Sequence, residues 1–241
     1  DTTNDPVIAA RRPLSWRSWQ RSEDYYSEGK LIWLDVDTLI RERSGGKKSL
    51  DDFARAFFGA NDGDWNVVTY EVDDVVEALN KIVKYDWAGY FRARLIAREK
   101  GAPIDGIERG GYRLAFSERP TPYFLGHERR RKIIDLTFSI GAILGRGGEI
   151  IEVRWDGPAF KAGLTTAATI VAVNGFAFEE ERLKDAIEAA AAPGASPIDL
   201  IVKAGDRFRT VAVNYRGGLR YPYLQRISQQ PALLDTILEP R

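Results

Sequence analysis

Residues 22–34 read SEDYYSEGKLIWL: two tyrosines, a glycine and four residues able to carry charge open a stretch that is otherwise apolar. One reading is an acidic, capped helix start. The other is that one tyrosine points into a catalytic site whose remaining parts lie elsewhere. The rest of the chain offers little alternative chemistry. There is no cysteine, so thiol catalysis, disulfides, iron–sulfur clusters and cysteine zinc sites are excluded. The one histidine, His127 in GHERRRK, reads as a solvated loop residue, and Glu128 to Lys132 as a solvated run before a strand. A catalytic zinc normally needs three protein ligands, usually two of them imidazoles, so this chain cannot assemble such a site alone. Gly45-Gly46-Lys47-Lys48-Ser49 follows a helix, not a strand, and lacks the Gly-x-x-x-x-Gly-Lys spacing, so it is a connector and not a phosphate loop.

Composition bounds the remaining classes. In 241 residues, 44% hydrophobic content is enough to build sizeable cores. Thirty-five basic residues balance thirty-five acidic ones, which leaves no net field to draw the chain to nucleic acid or an anionic membrane. No apolar run approaches the roughly 20 residues that span a bilayer, so no membrane span is expected. The chain has no methionine and begins at Asp1, which reads as an internal piece of a longer polypeptide.

The elements that must position Tyr25 and Tyr26 are helices. The first is expected over residues 23–43, with Ser22 as cap, Glu23 and Asp24 favourable to the helix dipole, and Gly45-Gly46 as the stop. Tyr25, Gly29, Ile32, Val36 and Ile40 fall on one stripe of it. Ser49 caps a second helix closed by Gly59, VDDVVEALNKIV carries a third at helical spacing, and Asp86 opens a fourth. Beyond GAPIDGIERGG the pattern alternates as strands do: YRLAF, DLTFSIGAIL, EIIEVRW, TIVAVNG, PIDLIVKA and FRTVAVNY, interrupted by a short helix near PAFKAG and a longer alanine-rich one, EEERLKDAIEAAA. The expected fold class is therefore α+β, with a helical subdomain over 1–104, a β domain over 105–220 and a peripheral tail over 221–241.

WDGPAFKAGL followed by TIVAVNG resembles the core of a bacterial protease-type PDZ domain. Pro158 starts a short helix, Gly163 ends it, and Asn174-Gly175 turns the chain after a buried strand. Ala167-Ala168 stands where such domains usually carry Gly-Asp, which puts that turn's geometry in question. The resemblance implies a groove for a C-terminal peptide, added as a strand against a sheet edge. Its carboxylate would meet the loop Ser139-Ile140-Gly141-Ala142, and its flank the helix holding Arg182, Leu183, Ala186 and Ile187. The alternative is that Ile140, Leu183 and Ile187 simply fill a core.

The helical half, with SWQRSEDYYSEGKLIWLDVDTLIRERSGGKKSLDDFARAFFG, YDWAGYFRARL, the PDZ core and GGLRYP in this order, resembles the C-terminal portion of the bacterial glycyl aminopeptidase family. These are zinc metallopeptidases with a thermolysin-like catalytic domain, so the resemblance implies that the helical subdomain is the C-terminal part of that domain. The family's HExxH helix and downstream glutamate are absent here. The resemblance implies a fragment with no cofactor of its own: zinc would belong to the parent enzyme, the partner would be the N-terminal portion of its own polypeptide, and the substrate a peptide with a small N-terminal residue. Either the bacterial cytoplasm or the periplasm would suit it.

In the related aminopeptidase N family, a tyrosine three residues before a glycine, in a Tyr-x-Lys-Gly pattern, donates its hydroxyl to the oxyanion formed at the scissile carbonyl. Tyr26-Ser27-Glu28-Gly29 has that spacing, with glutamate in place of lysine. The resemblance thus gives Tyr26 the catalytic role, with Gly29 leaving room for substrate backbone. Glu23 and Asp24 become candidates to hold the substrate α-amine, and Arg17 and Arg21 candidates to line the cleft. Without the resemblance Tyr26 reads as a core aromatic. A reading of another class makes the PDZ groove the whole function, a peptide-binding or scaffolding module. A PDZ-bearing serine protease fails, because the single histidine has no Gly-x-Ser-x-Gly partner.

Overall fold

The computed structural model describes residues 24–59, 63–96, 101–227 and 232–240, with only the backbone of Asp24 and Tyr25. Arg17, Arg21 and Glu23 lie outside the described residues. The fold is α+β. It divides into a helical unit, Asp24–Arg113 with Leu224–Arg241, and an antiparallel β unit, Leu114–Tyr223.

The helical unit holds α1 (Asp24–Ser44), α2 (Leu50–Phe58), α3 (Val72–Ile82), α4 (Trp87–Ile96) and the short α5 (Asp105–Arg109). Local chemistry sets their starts. Ser49 Oγ accepts from Asp51 N at 3.3 Å while Asp52 Oδ2 accepts from Ser49 N at 2.9 Å, a capping box that fixes α2. Asp86 Oδ1 accepts from Gly89 N at 2.9 Å at the head of α4. Val36, Leu39 and Ile40 of α1 meet Phe53, Leu79 and Trp87 in one core, where Trp33 stacks on Phe53 with ring centroids 5.4 Å apart.

A polar knot ties α1 to α4 and α5. Asp35 is 1% exposed. Its carboxylate accepts from Tyr90 Oη at 2.8 Å and Arg94 Nη2 at 3.1 Å, and it pairs with Arg109 Nη1. Arg94 reaches on to Asp105, and Arg109 to Glu42 at 3.4 Å. Burial, followed by the hydrogen bond to Asp35, pushes the Tyr90 phenol well above the usual tyrosine range. The backbones of α1 and α5 can approach this closely because residue 106 is glycine: a Cβ there would stand 2.5 Å from Asp35 N and 2.6 Å from its Cα.

The segment after Arg226, read from sequence as peripheral, instead returns to this unit. Helix α9 (Leu233–Leu238) packs on α1, Leu234 N donates to Gly110 O at 3.0 Å, and Ala232 and Leu234 are buried. Its apolar pattern is too short to announce a helix by itself.

The β unit carries a three-stranded sheet in the order β2 (Ile133–Leu136), β3 (Ala142–Gly145), β4 (Ile150–Val153). A four-stranded sheet follows in the order β6 (Phe176–Ala177), β5 (Thr169–Val173), β7 (Ile198–Ala204), β8 (Arg207–Val213). Strand β1 (Tyr112–Ser117) pairs with β9 (Tyr221–Arg226). Helices α6 (Pro122–Arg131), α7 (Pro158–Lys161) and α8 (Glu180–Ala189) complete it. Two expectations are corrected here. DLTFSIGAIL is not one strand but a hairpin: Asp135 Oδ1 accepts from Thr137 N at 3.0 Å and Gly141 takes φ +80°, which folds the run back on itself. His127 and Glu128 lie on α6, not in a solvated loop, and Glu128 is 3% exposed.

Asn174 and Gly175, at φ 48° and 84°, turn β5 into β6. Ala167, in the position questioned above, adopts φ +62°. The left-handed geometry of that turn is thus kept by a residue whose Cβ disfavours it by about 1–2 kcal/mol.

Two outcomes follow in urea unfolding. Ala167→Gly, at an exposed site, is expected to stabilise the chain by about 0.5–1 kcal/mol, the relief of strain less glycine's extra entropy. Gly106→Ala is expected to destabilise it by roughly 2 kcal/mol or more, because the α1 backbone has to move.

Candidate functional site

Helix α1 is buried on all faces from Asp35 to Arg41 and more exposed over its first turns. At about 100° per residue, nine residues place Asp35 half a turn from Tyr26, whereas Lys30, Trp33 and Asp37 fall near the Tyr26 face. That face forms one wall of a groove of about 500 Å³, with Tyr26, Gly29, Lys30, Trp33 and Leu34 contributed by α1. Leu50 of α2 and Ile237 of α9 supply the rest of its lining, together with Asp37. The groove is predominantly apolar, with polar groups at Tyr26, Lys30 and Asp37.

Tyr26 is 62% exposed, which a core aromatic would not be. Asp37 is buried: Oδ1 accepts from Leu50 N at 2.7 Å and Oδ2 from Arg41 Nε at 3.0 Å. It therefore fastens the start of α2 beside the groove. Gly29 lies inside α1, where glycine costs roughly 0.5–1 kcal/mol relative to alanine. No described residue lies within 4 Å of the position its Cβ would take. Among the described residues, neither backbone geometry nor packing demands a glycine there.

Tyr26 and Gly29 are thus brought together at one groove. Asp24 begins the same helix, and its side chain is not described. Lys30, Asp37, Leu50 and Ile237 were not singled out from sequence. The first two lie on the Tyr26 stripe and were legible from spacing, whereas Ile237 comes from a segment over 200 residues away in sequence. Among the described residues, no group of three or more His, Asp or Glu stands close enough to hold a metal ion, so these residues do not fit zinc.

The second set of candidates lies in the β unit. Ser139, Ile140, Ala142, Leu183 and Ile187 are all buried, and the four apolar ones belong to its core with Ala186. Arg182 points outward, donating to Ala177 O, with its guanidinium 5.7 Å from the Phe176 ring centroid. Ser139 Oγ accepts from Arg220 N at 3.1 Å, which brings the GGLRYP segment against this loop. Glu128 Oε1 accepts from Asp135 N at 2.8 Å. Burial raises the Glu128 pKa, opposed by that hydrogen bond and by Lys184.

The fold has a counterpart among solved structures. The crystal structure of an aminopeptidase N family protein from Idiomarina loihiensis superposes with a TM-score of 0.65 at 18% identity, over 93% of this chain and 39% of that one. The likeness shows a shared fold, and this chain spans about two fifths of that protein's length. The HtrA3 PDZ domain bound to a phage-derived ligand (FGRWV) aligns with a TM-score of 0.24 at 19% identity, over 47% of this chain and 85% of that one, too low to bear on the fold. No protein-family model and no curated protein matches the sequence.

The open space over Gly29 has a stability consequence. Gly29→Ala is expected to raise the free energy of unfolding by about 0.5–1 kcal/mol, read by urea denaturation, because it adds helix propensity without a clash.

Proposed function

We propose that this chain is the C-terminal region of a zinc metallo-aminopeptidase of the glycyl aminopeptidase type, which removes small N-terminal residues from peptides. The observation that carries the reading is the exposed Tyr26 side chain lining an apolar groove, beside a helical glycine that no described residue outside the helix crowds. The shared fold with an aminopeptidase N family protein supports it. So does a bare apolar surface on the helical unit: Trp65 is 98% exposed and Val67 91%, with Val68 and Tyr70 also exposed. Surface of this kind marks an interaction site, and the reading assigns it to the N-terminal portion of the same polypeptide.

Zinc, in this reading, would be held by that portion and would supply an activated water. The part played by this chain is positioning and charge stabilisation. Tyr26 donates its phenolic hydrogen to the carbonyl oxygen of the scissile bond as negative charge gathers there. A phenolic hydroxyl suits this because it is a hydrogen-bond donor. Gly29 lets the substrate backbone come close to the helix, and Glu23 and Asp24 offer carboxylates to the substrate's α-ammonium. The chain alone then binds no zinc and hydrolyses nothing.

The test uses the intact parent enzyme. Tyr26→Phe is expected to lower kcat/KM for a glycyl peptide substrate by roughly 100-fold, the effect of about 3 kcal/mol from one aimed donor, with zinc content unchanged. An unchanged kcat/KM removes Tyr26 from the mechanism.

A further inference from the structure

A peptide that binds by strand addition needs an exposed sheet edge. Strand β3, which leaves the loop of residues 139–142, has none on the side where that strand would add. β4 pairs along one edge and β2 along the other, with Ile133 opposite Gly145, Ile134 opposite Leu144, Asp135 opposite Ile143 and Leu136 opposite Ala142. β2 runs antiparallel to β3 with its C-terminal end at the loop, the direction of a ligand whose terminal carboxylate meets that loop.

Details at the loop follow the same pattern. Leu136, the last residue of β2, is fully buried in the core that also contains Ile140, Leu183 and Ile187. Its carbonyl oxygen accepts from Ser139 N and Gly141 N, both at 3.0 Å. These are amides of the loop assigned above to a peptide carboxylate. Ile134, two residues earlier and on the same face of the strand, is also buried. Between them the Asp135 amide is closed by the buried Glu128 carboxylate, so no further strand can bond there.

The geometry points to an occupant from within the chain: β2 is the ligand of its own PDZ groove, with Leu136 standing for a peptide's C-terminal residue and its carbonyl for the carboxylate. The tether is the turn of residues 137–141. A tether that short gives an effective concentration on the order of 1 mM or more, so a free peptide of ~10 µM intrinsic affinity is weakened about 100-fold. The unit then serves as a closed structural element instead of a peptide trap. This inference does not rest on the aminopeptidase reading, and either can fail without the other.

The test uses the full 241-residue chain. The probe is a fluorescein-labelled synthetic peptide RRKIIDL with a free C-terminal carboxylate, copying residues 130–136. Wild type is expected to show no saturable polarisation change up to about 100 µM, whereas Leu136→Gly, its fold checked by circular dichroism, binds at least tenfold more tightly. Saturable wild-type binding below about 100 µM with shifts at the Ser139 and Gly141 amides overturns the inference, and so does a folded Leu136→Gly chain that gains nothing. Should Leu136→Gly not fold, Leu136→Ala loosens the end of β2 with a smaller loss of buried side chain. Exchange of the Ser139 and Gly141 amides is then expected to quicken at least tenfold, and unchanged exchange overturns the inference.

Discussion

The helical unit depends on the buried carboxylate of Asp35. A charge taken out of water is tolerated only when paired and hydrogen-bonded, and here Tyr90, Arg94 and Arg109 meet that requirement from α4 and α5. The knot leaves α1 little rotational freedom. Because Asp35 lies half a turn from Tyr26, fixing Asp35 inward turns Tyr26 to the opposite side, where the first turns of α1 line the groove. Asp37 completes the arrangement by holding the amide of Leu50, so that α2 borders the groove.

In the β unit the comparable constraint is the satisfaction of backbone groups. Strand edges left bare invite pairing with another chain. Folding residues 133–145 into a hairpin closes one edge of β3, β4 closes the other, and Glu128 seals the amide left at Asp135. The cost is a buried carboxylate whose charged form burial disfavours, balanced by the Asp135 amide and Lys184. Similarly, Ala167 holds a turn that glycine would make without strain. Both are local penalties maintained by the surrounding core.

What the sequence by itself determined was local. The α+β class, the Ser49 and Asp86 helix starts, the Asn174-Gly175 turn and the Tyr26-to-Gly29 spacing are properties of a few neighbouring residues. Capping, periodicity and turn chemistry act over one or two helical turns, so they can be read without knowing the fold.

Tertiary structure alone decided the rest. The partners of Asp35 lie 55 to 74 residues away, Ile237 comes to Tyr26 from the far end of the chain, and the strand beside β3 is a segment whose alternation reads as continuous with it. Glu128 looked like part of a solvated run because its neighbours Arg129, Arg130 and Arg131 are charged, yet the helix turns it inward. Each of these is a long-range pairing chosen by burial and hydrogen-bond satisfaction summed over the whole unit. The type and spacing of residues say that a group can pair, and only the folded chain determines with what.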